Sequence, residues 1–147
     1  MSTFLRKHGL KIGIGLVVIF IAIQFVGLVV PAFARTNPEV TTQIQWDSPR
    51  TEALARTACM DCHSNESQWP WYAYIAPVSW LVTNDVNEGR DYLNFSTGRG
   101  ELEAEEMAKV INAGEMPPAI YTLMHGDANL TDAEKQELIA GLQATFR

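Results

Sequence analysis

Ile12 to Val30 is a run of 19 residues in which Gln24 is the one polar side chain. A soluble core has no place for so continuous an apolar stretch. In hydrocarbon, a lone segment satisfies its backbone only as a helix. As a helix the run is about 28 Å long, close to the roughly 30 Å of a bilayer's hydrocarbon core. Arg6, Lys7 and Lys11 precede it. The positive-inside rule keeps such residues in the cytoplasm and places everything after Val30 on the far side. A cleaved signal competes with a retained anchor, because Ala32-Phe33-Ala34 fits the small-x-small pattern of a cleavage site. The run exceeds the roughly 7–15 residues of a signal's apolar region, which favours the anchor. The sequence therefore divides into a stub and transmembrane anchor (1–34), a polar linker (35–47) and one domain (48–147). The linker holds one proline and no amphipathic period. Fully stretched it reaches about 43 Å, less if Trp46 docks on the domain.

The domain contains Cys59-Met60-Asp61-Cys62-His63, and these are the two cysteines of the 147-residue chain. Spelled C-x-x-C-H, the pentapeptide reads as a covalent attachment site for one haem c. Two thiols one helical turn apart can add to the two vinyl groups of a porphyrin, and the next histidine can face the iron. Two other chemistries use this spacing. A structural zinc site wants four ligands, and only His8 and His125 remain to complete it. A thioredoxin-like dithiol wants a preceding strand and a βαβ context, and none is visible. Haem c is attached in bacteria on the extracytoplasmic side, where the apolar run delivers these cysteines.

Four of the eleven basic residues lie at or before Arg35 and none of the 17 acidic ones does, so the remainder carries a net charge of −10. Such a surface repels nucleic acid and anionic lipid and is steered towards basic docking surfaces.

The element pattern is helical throughout, with no strand-like alternation and no repeat. Ser48-Pro49 places an N-cap serine before a proline at the first helical position, opening a helix that runs to Cys62. An aromatic stretch follows (Trp69, Trp71, Tyr72, Tyr74, Trp80), broken by Pro70 and Pro77. A helix resumes over Val78–Tyr92, and Gly98 and Gly100 mark a loop. Glu101–Ala113 reads as a helix stopped by Gly114. Thr131 and Glu134 form a capping box ahead of a stripe of Leu138, Ile139, Leu142 and Phe146. Buried haem would add the apolar area that so small a core lacks.

His63 is the proximal iron ligand on the haem reading. A good proximal histidine gives its other ring N–H to a carbonyl, with Pro70 and Pro77 the candidate loops. The sixth ligand has several candidates. Met116 lies in Gly114-Glu115-Met116-Pro117-Pro118, a loop held extended by two prolines. Met124, His125 and an open position are the others. His/Met ligation favours electron transfer, bis-histidine a lower potential, and an open site sensing or peroxidase chemistry. Trp80 is expected in the pocket wall. Arg90 and Arg99 are candidates to pair with haem propionates, with plain solvent exposure the alternative. The acidic run Glu101, Glu103, Glu105, Glu106 is most simply a solvated first helical turn.

Several segments resemble the bacterial haem-binding domain family of membrane-anchored monohaem proteins: Cys-Met-Asp-Cys-His-Ser-Asn (59–65), Trp-Pro-Trp-Tyr (69–72), Ile-Ala-Pro-Val-Ser-Trp-Leu-Val (75–82), Asp-Val-Asn-Glu-Gly-Arg (85–90) and Leu-Asn-Phe-Ser (93–96). Gly-Glu-Met-Pro-Pro and the Tyr121 to His125 segment are similar too. The layout also resembles class I cytochrome c, an all-α fold around one covalent haem. That resemblance implies that the domain's first and last helices cross near the haem edge. The family likeness implies haem binding without a defined reaction. The expectation is an electron carrier rather than an enzyme, serving extracytoplasmic redox proteins or subunits of a respiratory or photosynthetic complex in the bacterial cytoplasmic membrane. A haem sensor or peroxidase-like enzyme is the alternative from another class, and a haem-free structural module a third.

Overall fold

A computed structural model describes residues 2–100 and 103–146. The apolar run is helical. Helix α1 (Ser2–Gln24) passes one non-helical residue, Phe25, and continues as α2 (Val26–Val29). Lys7–Val29 is long and apolar enough to cross a membrane, and none of it is buried within the protein. A 3₁₀ turn follows at Pro31–Phe33.

The rest is mostly helical: α3 (Pro49–Ala58), α4 (Met60–His63), a 3₁₀ turn at Trp71–Tyr74, α5 (Val78–Tyr92), α6 (Ala104–Asn112), α7 (Ala119–Met124) and α8 (Asp132–Thr145). Between α5 and α6 lies a small antiparallel hairpin of β1 (Leu93–Asn94) and β2 (Arg99–Gly100). Gly98 and Gly100 take positive φ there, as a tight return requires. Glu101 and Leu102, expected to start α6, lie outside the described residues.

The chain divides into two units, residues 1–35 with 69–84 and residues 36–68 with 85–147. The aromatic stretch groups with the apolar helix in the first unit. In the first unit, Phe33 stacks on Trp80 with ring centroids 5.4 Å apart.

In the second unit the capping signals act as chemistry dictates. Ser48 Oγ accepts from the Thr51 N–H, with Pro49 at the first turn of α3. Thr131 and Glu134 close a reciprocal capping box on α8. The core gathers Leu54, Ala55 and Ala58 from α3, Ala108 and Ile111 from α6, and Leu138, Ile139 and Leu142 from α8. Helix α8 approaches α3 so closely that a Cβ on Gly141 would overlap the Thr51 side chain.

Two expectations are corrected. The helix does not run unbroken into the cysteine motif. Cys59 (φ −126°, ψ −41°) leaves helical geometry, although its N–H still bonds Ala55 and its carbonyl still accepts from His63. Residues 36–47 form no regular element, yet they are no free leash. The Thr41 and Thr42 N–H groups donate to the Ser96 carbonyl, and Asn65 Nδ2 donates to the Glu39 carbonyl. Trp46 packs with Phe95 and Phe146 in a three-ring cluster, with centroids 5.6 to 6.1 Å apart. Packing these rings together offsets part of the entropy cost of ordering the segment.

The α3/α8 approach is testable. Gly141→Ala is expected to destabilise the protein by about 1–3 kcal/mol in denaturant unfolding. Gly126→Ala, with open space around its Cβ, should stay within about 0.5 kcal/mol of the parent.

Candidate functional site

His63 ends α4. Its ring Nδ1 lies 2.9 Å from the Gly89 carbonyl and 3.1 Å from the Leu93 carbonyl. Carbonyls only accept, so Nδ1 carries the proton and Nε2 keeps its lone pair for a metal. The two acceptors belong to the last turn of α5 and the residue just beyond it, where carbonyls lack partners within the helix. The expected proline loops have other tasks. The Pro70 carbonyl accepts from Ala73 N and the Pro77 carbonyl from Trp80 N. Burial lowers the His63 pKa, opposed by the two carbonyl bonds, so the ring is neutral at pH 7.

This approach requires a glycine. A Cβ on Gly89 would stand 2.7 Å from the Cys62 carbonyl oxygen and 3.1 Å from the Cys62 Cβ. Sequence reasoning placed Gly89 inside a helix and assigned it nothing. A glycine inside a helix costs about 1 kcal/mol against alanine, and that cost was the available signal of a close contact.

Cys59 and Cys62 are half-buried and not joined by a disulfide. Burial, then the neighbouring Cys62, pushes the Cys59 thiol up to about 12. Burial, then Asp61 and Asp85, pushes Cys62 up to about 11, with Arg90 opposing. Reactive dithiols of the thioredoxin kind need the opposite shift. Among the described residues, no three His, Cys, Asp or Glu side chains are grouped to hold a metal ion as a zinc site would.

Both cysteines and His63 line a cavity of about 540 Å³. That is well within the roughly 300–1,000 Å³ of small-molecule and cofactor sites. Leu93, Phe95, Met107, Val110, Ile111 and Leu142 supply its apolar wall, and Met116 and Tyr121 line it as well. Met116 lies beyond the end of α6, where Gly114 takes φ +71° to reverse the chain. The Glu115 and Met116 N–H groups both donate to the Val110 carbonyl, at 3.0 and 3.3 Å. The loop is thus held by backbone bonds as well as by its prolines.

A further tie runs from α7, which sequence reasoning missed. The Tyr121 hydroxyl donates to Asp61 Oδ2 at 2.8 Å, while Asp61 Oδ1 accepts from the Gln68 N–H at 2.8 Å. Burial, then Asp61, raises the Tyr121 pKa, so the phenol stays a neutral donor. The α7 segment that follows Met116 is thereby fastened to the middle of the cysteine motif.

Other candidates lie elsewhere. His125 is not among the lining residues; its Nδ1 donates to the Tyr121 carbonyl at 3.1 Å and its ring stacks on Tyr121 at 4.1 Å. Met124 is exposed. Trp80 belongs to the unit with the apolar helix and is not a lining residue. Arg90 is 8% exposed, and its guanidinium donates to the Ser64 and Thr36 carbonyls, Asn37 Oδ1 and Ser67 Oγ. It clasps the chain on either side of the motif rather than lining the cavity. Arg99 pairs with Asp91 at 3.1 Å on the surface. The charged residues that do line the cavity are all acidic: Asp61, Asp85, Glu88, Glu106 and Glu115.

A family model described as a haem-binding domain matches residues 18–144. The chain is also similar to a protein of Escherichia coli (strain K12) named "Cytochrome c peroxidase Ccp", 27% identical over 96 residues. The match covers 59% of this chain and 21% of that protein, so the chain spans about a fifth of the relative's length. No solved structure matches. The donor set fits a haem: a locked histidine, two thiols and a thioether around one largely apolar cavity.

Two variants test this geometry. Gly89→Ala is expected to lower the haem-loaded fraction of purified protein, measured as haem absorbance per polypeptide. Unchanged loading would refute the close-approach argument. Arg90→Ala should destabilise the protein by at least about 2 kcal/mol, because several buried acceptors lose their donor. The exposed Arg99→Ala should cost no more than about 0.5 kcal/mol.

Proposed function

The chain belongs to the haem-binding domain family, and from that premise we propose that it is a membrane-anchored monohaem c-type cytochrome carrying single electrons between extracytoplasmic redox partners. One observation carries the reading: Cys59, Cys62, His63 and Met116 line the same cavity. When bound, the haem supplies a one-electron iron couple. The chain's residues attach, orient and enclose it. Cys59 and Cys62 would hold the haem as thioethers, S–H adding across a vinyl group with no oxidant required. His63 would hold the iron through Nε2, its tautomer set by the Gly89 and Leu93 carbonyls. Met116 would hold the iron through its thioether, a donor that raises the potential and favours electron transfer over oxygen binding. The apolar wall limits water near the iron.

A class I cytochrome c-like arrangement is supported by α3 leading into the motif, α8 packed on α3 at Gly141, and the Met-Pro loop. The apolar helix is read as a retained anchor in the bacterial cytoplasmic membrane. Arg6, Lys7 and Lys11 stay on the cytoplasmic side and the haem on the other. The acidic cavity residues and the acidic surface favour redox partners or complex subunits with a basic docking face.

A peroxidase-like enzyme or haem sensor is the second reading. It is favoured by the relative named as a cytochrome c peroxidase and by Met116 being 39% exposed on a loop, where a thioether can be displaced.

A spectrum separates the two. The electron carrier is expected to be low-spin with a methionine–iron charge-transfer band when oxidised. That band should vanish in Met116→Ala and persist in His125→Ala. A high-spin ferrous form that readily binds carbon monoxide in the parent protein would establish the second reading instead.

A further inference from the structure

Residues 71–83 bury and expose side chains in the reverse of the soluble order. Ala73, Ala76, Ser79 and Thr83 are buried, whereas Trp71 (71% exposed), Tyr74 (58%), Ile75, Val78 and Leu81 (48%) point outward. In α5, Val78 and Leu81 are three residues apart and share a face. The buried side chains here are thus small or hydroxyl-bearing, while the most exposed ones are large and apolar or aromatic. Residues 69–84 include no charged side chain. Large apolar side chains exposed together are costly in water. Tryptophan and tyrosine collect at the membrane–water boundary, where the ring meets acyl chains and the polar tip meets headgroups.

The segment is fastened to the apolar helix within the same unit. Gln24 Oε1 accepts from the Ala76 N–H at 2.9 Å, and its Nε2 donates to the Ala76 carbonyl at 3.2 Å and to the Phe20 carbonyl at 2.9 Å. The one polar side chain of the apolar run is thereby satisfied, as an amide in hydrocarbon must be. Gln24 precedes the helix end at Val29 by five residues, about 7–8 Å along the axis. With the hydrocarbon boundary at Val29, that offset would match interfacial elements, which bury their apolar face about 5–10 Å. Nearer the helix exit, Arg35 Nη1 donates to the Ala73 carbonyl at 3.2 Å, and its guanidinium lies 4.5 Å from the centre of the Tyr74 ring. Arginine beside tyrosine matches the chemistry of the headgroup layer.

We propose that residues 71–81 form an interfacial element that inserts Trp71, Tyr74, Ile75, Val78 and Leu81 into the headgroup–acyl boundary of the bilayer that α1 and α2 cross, the bound partner being phospholipid. The proposal rests on the anchor reading given under Proposed function.

The full chain, reconstituted in phosphatidylcholine vesicles, provides the test. A photoreactive benzophenone residue replaces Trp71, Leu81, Val17 or Gln143 in turn, and lipid adducts are counted by mass spectrometry after irradiation. Adducts at 71 and 81 should approach the yield at 17, within the apolar helix, and exceed several-fold the yield at 143, an exposed polar position on α8. Yields at 71 and 81 as low as at 143, with 17 labelled, would overturn this inference and leave the anchor intact. A cross-link from 71 or 81 to a second copy in place of lipid would overturn it as well. Absence of lipid adducts at 17 would reject the anchor itself, and the inference with it.

Discussion

The His63 ring hangs from two backbone carbonyls at the end of α5, and the site is arranged around that contact. It sets the tautomer, and with it which nitrogen is left for a metal. It also pulls α4 against α5 until the Cys62 backbone meets residue 89, where only a glycine fits. The next residue, Arg90, completes the junction. Its guanidinium bonds Ser64, Ser67, Thr36 and Asn37, so one turn of α5 organises the segments before and after the motif. A buried arginine with four oxygen partners is stabilising only while all four remain in place.

The remaining cavity wall is built by reach. Met116 comes from a loop that reverses at Gly114 and is bonded to Val110, while Tyr121 ties the following helix to Asp61 inside the motif. The cysteine motif and the helix that follows Met116 are thus linked through a phenol–carboxylate bond. Every charged lining residue is acidic. Burial, then Asp61 and Asp85, disfavours thiolate at Cys62, the opposite of what a reactive redox pair needs.

Local signals in the sequence translated directly. The Ser48 cap, the Val78–Tyr92 helix, the Gly114 stop and the Thr131–Glu134 box depend on neighbours within a turn, so their chemistry is written in consecutive residues. Signals that depend on distant partners did not. Helix α7 has six residues behind two prolines, too short for a period to be read. The break at Cys59 leaves no compositional mark. Residues 36–47 look like a solvated linker because their bonds go to Ser96, Asn65 and Thr145, far along the chain. Arg90 has the composition of a propionate partner, and only its surroundings show four protein oxygens already claiming it.

The sequence by itself determined the chemistry available: two cysteines and a histidine at haem-attachment spacing, a methionine in a stiff loop, one apolar run long enough for a bilayer, and mostly helical elements between them. These follow from covalent spacing and short-range periodicity. Only the tertiary structure decided which carbonyls hold His63, that Gly89 must lack a side chain, that Arg90 clasps backbone, and that the aromatic stretch belongs with Gln24 and the apolar helix. The reason is physical. Each is a contact between residues 26 to 54 positions apart, and the energy of such a contact depends on burial and geometry that no window of sequence contains.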